Sequence, residues 1–412
     1  MASTFRHTEG LLDALADRSF ERPPALVANA HVTGLGVARA LAAADVPVVA
    51  VDRSPDGVAP PSAAVDFAGR VAYPLDDPDG FEADLAAVVD AVGRDVVAFG
   101  CMDEWARAFA AADVDGLRRP FSGSGPMDRV LDKGSLYATA EELDVPYPET
   151  YRLAETDPGR AAEELGFPLV VKPARKREFE EAIGTNVVEV DDEAEFETVL
   201  SAAREAGVRV MAQKRVDVER GEDHSVGSYV PPGGADDALA LVANPAVRYP
   251  PSFGTSALVE TAERPALRDR ALGVLEACGY HGISEAEFVY DADRGEFLLL
   301  DINTRPWKWI GLPVAAGLNL PLAAYASVTD LRYEPDPATD TRWIYLRDYL
   351  ELLATTEGVR DRFDRGTWRR LLSGAFEDRD ELTTGVYRPS DPGPAAKLLA
   401  TAFADREYYC AC

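Results

Sequence analysis

Hydrophobic positions near the start of the chain follow the pattern of a β-α-β unit. Short apolar runs at residues 25–30 and 47–51 are strand-like, and the segment 35–44 between them has the spacing of an amphipathic helix. The same criteria predict strands at 71–73 and 96–99 and a helix at 78–92. Because strands that alternate with helices are typical of a parallel sheet, we predict an N-terminal parallel α/β domain over residues 1–125.

The pattern of apolar residues changes further along the chain. The predicted elements of the central region are a helix at 127–143, a strand at 167–172 and a hairpin of strands at 286–290 and 296–305. From about residue 331 the spacing becomes that of amphipathic helices, at 342–353 and 367–372. We therefore predict a multidomain chain of α/β and α+β class, with a second domain over residues 126–330 and a mainly helical C-terminal extension over 331–412.

Composition and charge narrow the classes of partner. Of the 412 residues, 71 are acidic and 42 are basic, which gives a formal charge of -29. Such a chain repels nucleic acid and anionic membranes, and no apolar run approaches the roughly 20 residues that a membrane span needs. We expect a cytoplasmic protein without nucleic acid or membrane partners. The acids are spread along the chain and the cations are mostly arginine, a composition that resembles the surfaces of halophilic proteins.

The cysteines and histidines show no metal-binding spacing. There are four of each, with neither a C-x-x-C pair nor an H-x-x-x-H segment. We therefore expect reduced thiols and no structural zinc site.

Lysine is scarce, which makes its placement informative. Five of the six lysines lie in the central region, and a compact ammonium group is well suited to hold phosphate oxygens. Lys172 ends a predicted strand and forms, with Arg175, Lys176 and Arg177, an island of four cations. In an acidic chain this island would attract a polyphosphate. The alternative interpretation is a solvated charge run that pairs with the glutamates that follow.

The predicted hairpin carries the most specific chemistry. Asp301 and Asn303 are two positions apart on one strand, so both side chains point to the same face, and Glu287 on the other strand would complete an all-oxygen cluster. Two carboxylates and one amide suit magnesium, which takes its remaining ligands from water and substrate phosphates. Arg305 follows on the same face. The apolar residues 298–300 bury the strand and leave acids at its end that need a partner.

Over about residues 20–330 the chain resembles the ATP-grasp superfamily, in particular its carboxylate-amine ligase branch. The segment 127–133 is similar to the helix that bears the first nucleotide lysine of that family, and 167–173 is similar to the strand that bears the second. The resemblance implies that Lys133 and Lys172 contact the phosphates of ATP. It also implies a pre-ATP-grasp fold for the N-terminal domain and an ATP-grasp fold for the central domain.

The resemblance assigns further residues. The segment 210–216 is similar to the linker that meets the adenine edge, although alone it could equally be an ordinary buried strand and turn. The implied residues are Gln213, Lys214, Val216 and Glu222 or Asp223 for the nucleotide, Arg248 and Arg305 for catalysis, and Glu287, Asp301 and Asn303 for the metal. The implied cofactors are ATP and Mg²⁺ or Mn²⁺.

Three positions depart from the family pattern. The loop after the second lysine, residues 173–186, has one glycine where the family usually has a Gly/Ser-rich loop. Lys214 stands where an acidic residue is common. Asp301 replaces the usual glutamate and is one methylene shorter, so its metal contact is expected to be monodentate or through water.

The predicted function is ATP-dependent ligation of a small carboxylate to a small amine through an acyl phosphate, with ADP as a product. Two alternatives use the same site: phosphoryl transfer to a hydroxyl group, or ATP binding without catalysis. A third, an NAD-dependent oxidoreductase, is disfavoured because residues 29–36 lack a full G-x-G-x-x-G pattern. A homo-oligomer is compatible with the sequence.

Overall fold

Strands and helices alternate along the described residues, which are 4–173, 187–218, 221–251, 254–377 and 381–402 of the computed structural model. The strands are β1 (Phe5–Arg6), β2 (Ala25–Ala28), β3 (Val48–Asp52), β4 (Phe67–Arg70), β5 (Val96–Gly100), β6 (Leu117–Arg118), β7 (Thr150–Arg152), β8 (Leu169–Pro173), β9 (Val188–Val190), β10 (Val210–Lys214), β11 (His224–Val230), β12 (Leu239–Tyr249), β13 (Thr255–Thr261), β14 (Gly282–Asp291), β15 (Glu296–Asn303), β16 (Arg342–Ile344) and β17 (Leu382–Thr384).

The helices of the same residues vary from one to four turns. They are α1 (Thr8–Ala16), α2 (Val32–Ala42), α3 (Pro78–Val92), α4 (Asp103–Ala111), α5 (Ser124–Leu131), α6 (Lys133–Glu142), α7 (Pro158–Leu165), α8 (Glu193–Glu205), α9 (Pro265–Ala277), α10 (Gly311–Ala315), α11 (Leu320–Ser327), α12 (Leu346–Leu352), α13 (Arg365–Ser373) and α14 (Gly393–Ala402), with short 3-10 turns at Ala235–Asp237 and Arg360–Arg362. Within these helices, none has both the length and the apolar character needed to cross a bilayer.

The N-terminal sheet is parallel, as predicted. Its order is β1-β4-β3-β2-β5-β6, and β2 pairs in parallel with both β3 and β5. Every residue of β2 is buried, because helices cover both faces of the sheet. The predicted β-α-β unit is confirmed as β2, α2 and β3. The strand predicted at 71–73 is wrong: the strand is β4, which ends at Arg70, and residues 71–73 follow it outside any strand.

The sheets that follow are mainly antiparallel. A four-stranded sheet has the order β7-β10-β8-β9, and a seven-stranded sheet has the order β15-β14-β11-β12-β13-β16-β17. The predicted hairpin is confirmed as β14 and β15. The mixed α/β and α+β class is therefore confirmed. The domain boundaries near residues 125 and 330 stay predictions.

Two predicted helices differ from the structure. The helix predicted at 127–143 is divided at Asp132, whose carboxylate accepts a hydrogen bond from the backbone of Ser135 and so starts α6 at Lys133. The helix predicted at 342–353 is wrong over its first residues, since Arg342–Ile344 is strand β16, which pairs with β13 and β17. The apolar residues there fit the period of a helix as well as that of a strand, and pairing with β13 selects the strand.

One hydrophobic cluster joins the parallel sheet to the large antiparallel sheet. It includes Val27 of β2, Leu35 of α2, Tyr229 of β11 and the indoles of Trp307 and Trp309. Trp307 is 2% exposed, and its ring lies directly against the backbone of Gly227. A Cβ atom at residue 227 would lie 2.4 Å from Cζ2 of Trp307. The glycine is therefore required by close packing rather than by backbone conformation.

We expect Gly227→Ala to lower the free energy of unfolding by about 1–3 kcal/mol, because the added methyl group must displace a packed indole. Urea denaturation followed by tryptophan fluorescence measures the change. Gly233→Ala is the matched control, since a Cβ atom there meets nothing within 4 Å, and its effect should stay within about 0.5 kcal/mol. Equal losses in the two variants would contradict the packing argument.

Candidate active site

A cleft of about 1200 Å³ lies where the three sheets approach one another. Its wall is formed by the loops after β2 and β5, by β8 and β10, by the end of the β14-β15 hairpin and by the segment that follows β16. Ten of the eleven predicted site residues line it: Lys133, Lys172, Gln213, Lys214, Val216, Arg248, Glu287, Asp301, Asn303 and Arg305. Residues from distant parts of the sequence are therefore brought to one cavity.

The hairpin presents polar side chains on its cleft face, as predicted. The register places Glu287 opposite Asp301 and Glu285 opposite Asn303. The Asn303 amide nitrogen donates to Glu287 Oε1 at 3.2 Å and to Glu285 Oε2 at 3.3 Å. Sequence reasoning did not select Glu285 as a site residue. Its position two residues before Glu287 was the available signal, because period two puts both side chains on one face.

Lys133 reaches this cluster from another element. Its Nζ lies 2.7 Å from Asp301 Oδ1, and its side chain is 8% exposed. Lys133 is the first residue of α6, where a cation is unfavourable next to the helix dipole. The contact with Asp301, not helix propensity, therefore accounts for the position of this ammonium group.

The donor set fits a hard divalent cation, although it is not a preassembled cage. In the part of the chain that the structure describes, no group of three or more His, Cys, Asp or Glu side chains lies close enough to hold a metal. Magnesium usually takes one or two carboxylates and keeps water and phosphate as its other ligands. The oxygens of Glu287, Asp301 and Asn303 supply that kind of set on one face.

The second lysine and the segment after β10 line the cleft from the four-stranded sheet. Lys172 lies opposite Met211 in the pairing of β8 with β10. The Gln213 side chain is buried, and its amide nitrogen donates to Tyr137 Oη at 3.2 Å and to Thr150 Oγ1 at 2.8 Å. It therefore holds neighbouring elements in place, whereas Lys214 and Val216 lie open to the cleft.

Arg248 is fixed by Asp223, the residue directly before the neighbouring strand β11. Its Nε donates to Asp223 Oδ2 at 2.9 Å, and another guanidinium nitrogen donates to the Gly254 carbonyl at 3.2 Å. A β-bulge directly before Arg248 turns the strand at this point. Of the two acids considered for the ribose, both within the described residues, Asp223 lines the cleft. Glu222 points instead to Arg264, at 3.8 Å.

Arg305 makes a buried pair with a residue of the N-terminal sheet region. Its Nε lies 2.6 Å from Oδ1 of Asp103, the first residue of α4. Burial by itself would lower the pKa of Arg305, but the carboxylates of Asp103 and Glu285 raise it above its usual value. The guanidinium is therefore charged, and Asp103 holds it at the wall of the cleft. Sequence reasoning missed Asp103, because nothing local distinguishes it from other acids at helix starts.

A second buried pair was also missed. Lys308 Nζ donates to Asp348 Oδ2 at 2.8 Å and to Thr255 Oγ1 at 2.9 Å. It lies 4.3 Å from the centre of the Tyr345 ring. Burial lowers the pKa of Lys308, and the carboxylate of Asp348 opposes that shift. All four side chains line the cleft. The cation island at Arg175, Lys176 and Arg177 and most of the loop 173–186 lie outside the described residues.

Comparison with curated proteins finds partial matches. No protein-family model matches the chain. It is 30% identical over 202 residues to a D-alanine–D-alanine ligase of Stutzerimonas stutzeri, a match that covers 45% of this chain and 60% of that enzyme. It is 26% identical over 214 residues to a D-aspartate ligase of Enterococcus faecium, covering 49% and 50%. The chain thus spans only half to three-fifths of the length of these relatives.

Solved structures match more of the chain at lower identity. A biotin carboxylase from Campylobacter jejuni superposes with a TM-score of 0.62 at 16% identity, covering 78% of this chain and 75% of that one. An N5-carboxyaminoimidazole synthetase from Staphylococcus aureus complexed with ADP gives 0.60 at 14%, covering 82% and 86%. An L-amino acid ligase from Bacillus licheniformis gives 0.53 at 16%, covering 77% and 76%. The chain therefore has the ATP-grasp fold, and its resemblance to the carboxylate-amine ligases of that superfamily is confirmed.

Proposed function

We propose that this protein is an ATP- and magnesium-dependent ligase that joins a small carboxylate to a small amine through an acyl phosphate. The observation that carries the proposal is the contact of Lys133 with Asp301, at 2.7 Å, on a face shared with Glu287 and Asn303. Phosphoryl transfer requires a cation that binds phosphate and oxygen ligands for a metal, close to each other. The cleft is large enough for a nucleotide and two small substrates.

The nucleotide would lie along the cleft from β10 to the hairpin. We assign Lys214 and Val216 to the border of the base. We assign Asp223 rather than Glu222 to the ribose hydroxyls, because Asp223 lines the cleft and Glu222 points to Arg264. Lys133 and Lys172 would then hold the phosphate oxygens. Gln213 would contribute indirectly, because its amide nitrogen donates to Tyr137 and Thr150 and so holds these neighbouring side chains in place.

The chemistry needs two displacement steps. A carboxylate oxygen of the acid attacks the γ-phosphorus, the bond to the bridging oxygen breaks, and ADP leaves with the acyl phosphate formed. The amine nitrogen then attacks the acyl carbon, the C–N bond forms, and inorganic phosphate leaves. The nitrogen loses one proton as the free amine forms and another on amide formation. No side-chain nucleophile is required, so positioning and charge stabilisation supply the catalysis.

Two arginines that line the cleft are held in fixed orientations. Arg248 is fixed by Asp223 and the Gly254 carbonyl, and Arg305 is fixed by Asp103. We assign them to the phosphoryl oxygens and to the tetrahedral oxyanion. Magnesium bound by Glu287, Asp301 and Asn303 would neutralise negative charge on the phosphates. An arginine that is already oriented costs no reorganisation during the reaction.

The names of the relatives suggest which acids to test. Those proteins are ligases of D-alanine, D-aspartate and L-amino acids. Amino acids are therefore the first acids to supply. The alternatives of phosphoryl transfer to a hydroxyl group and of ATP binding without catalysis predict no acyl intermediate, and the same experiment separates them.

The first prediction concerns the acyl phosphate. The protein is incubated with Mg-ATP, hydroxylamine and one amino acid at a time, in L and D forms. We expect ADP and the matching hydroxamate in equal amounts for at least one acid, because hydroxylamine captures an acyl phosphate. Mass spectrometry detects the hydroxamate. ADP release without any hydroxamate would overturn the acyl-phosphate step.

The second prediction concerns Lys133. Lys133→Met should weaken ATP binding by about 10- to 100-fold, the factor for losing one charge-assisted hydrogen bond. Isothermal titration with Mg-ATP measures the dissociation constant. Lys397→Met is the control, because Lys397 lies outside the cleft-lining residues of the described chain. Unchanged binding by Lys133→Met would remove Lys133 from the nucleotide site.

The third prediction concerns the hairpin carboxylate. Asp301→Asn should raise the Mg²⁺ concentration needed for half-maximal ADP release, by about 10- to 100-fold, because the amide is a poorer magnesium ligand. Asp293→Asn is the matched control, since Asp293 lies exposed at the turn of the same hairpin. The metal assignment fails if both variants need the same Mg²⁺ concentration as the unmodified protein.

A further inference from the structure

The segment after residue 341 supplies part of the cleft wall. Strand β16 pairs with β13, with Ile344 opposite Leu258, and α12 begins directly after it. This places Tyr345, Arg347 and Asp348 on the wall of the cleft. The residues that hold the nucleotide in the proposal above all precede this segment. The C-terminal segment therefore forms a part of the cleft wall that has no role in holding the nucleotide.

Asp348 is an incompletely satisfied acid in that wall. Its side chain is 4% exposed, and its Oδ2 accepts from Lys308 Nζ at 2.8 Å. Its Oδ1 is buried and has no hydrogen-bond partner among the described residues. A buried carboxylate oxygen without a donor is costly, and native proteins rarely keep one without a reason. The ammonium group of Lys308 has further partners besides Asp348, because it also contacts the Thr255 hydroxyl and the face of the Tyr345 ring.

The missing partner must be a hydrogen-bond donor. A carboxylate oxygen repels an acid or a phosphate and attracts an ammonium group. Asp348 can accept from two donors at once, with Lys308 on Oδ2 and a second nitrogen on Oδ1. The charge of -29 on the chain favours the approach of a cation. The reaction proposed above supplies one such group, since an amine substrate arrives largely protonated.

We infer that Asp348 binds the ammonium group of the amine substrate, an inference that rests on the proposed ligase function. Asp348 Oδ1 accepts a hydrogen bond from the nitrogen, and Lys308, itself held by Thr255 and the ring of Tyr345, holds the carboxylate in place. The nitrogen must lose a proton before it attacks the acyl carbon. Asp348 is assigned to binding the charged form and not to the attack itself. The C-terminal segment thereby determines where the amine is held.

The test compares two acceptors of the acyl group in one protein. Methylamine is the charged probe, because it is protonated at neutral pH. Hydroxylamine is the uncharged probe, because it is mostly neutral there. The acid is the amino acid that gives the most hydroxamate with the unmodified protein. In Asp348→Asn the amide oxygen still serves Lys308, and a donor replaces the acceptor at Oδ1.

We expect Asp348→Asn to raise the KM for methylamine about tenfold or more, as for loss of one charge-assisted hydrogen bond. The KM for ATP and the rate of hydroxamate formation should stay within about twofold, and these two values also show that the variant is folded. Glu351→Gln is the matched control on the same helix. Its carboxylate contacts Tyr249 and Arg347 and does not line the cleft, among the residues described there.

Each other result overturns the inference. If Asp348→Asn leaves the KM for methylamine unchanged, Asp348 serves only as the counter-ion of Lys308. If the variant instead raises the KM for the carboxylate substrate, Asp348 and Lys308 bind that substrate and not the amine. Use of hydroxylamine but not methylamine by the unmodified protein excludes an ammonium site. Absence of hydroxamate with every acid is a separate failure, because it removes the proposed function and this inference with it.

Discussion

The contact between Lys133 and Asp301 organises the site. Glu285, Glu287 and Asp301 place three carboxyl groups near one end of a hairpin, and like charges at that spacing repel one another. The ammonium of Lys133, 2.7 Å from Asp301, offsets part of that repulsion. Because Lys133 begins α6, the same contact fixes the helix start against the large sheet. The position of the helix and the charge balance of the hairpin therefore depend on each other.

The other cations of the cleft follow the same arrangement. Arg305 is held by Asp103 and Lys308 by Asp348, in each case by an acid from a distant part of the chain. Such buried pairs add little net stability, because desolvation offsets the attraction between the charges. Their effect is geometric: a paired cation keeps one orientation in the cleft. In the proposed reaction a phosphate or oxyanion would meet charges that do not have to reorganise, which is the main requirement of phosphoryl and acyl transfer.

Local patterns in the sequence were sufficient for part of this picture. The β-α-β unit and the β14-β15 hairpin were predictable because apolar periodicity specifies which face of a strand is buried. Period two also placed Asp301 and Asn303 together and indicated a site for a metal with oxygen ligands, while the proposed nucleotide roles came from family resemblance. Asp103 and Asp348 were not predictable, since their partners are 202 and 40 residues away in sequence. The strand Arg342–Ile344 was missed because pairing with β13, which is non-local, decides between helix and strand.

The C-terminal segment belongs to the fold of the cleft rather than being appended to it. Strands β16 and β17 continue the large sheet beyond β13, so their backbones cover what would otherwise be an exposed edge. Asp391 binds Arg39 of α2 at 2.8 Å and accepts from Ser62 at 2.6 Å, which ties the end of the segment to the parallel sheet region. The segment is thus fixed at both ends, and α12 lies between them. A carboxylate on α12 therefore lies in a segment that is anchored on both sides, and a firmly held position is what a side chain needs to select a substrate.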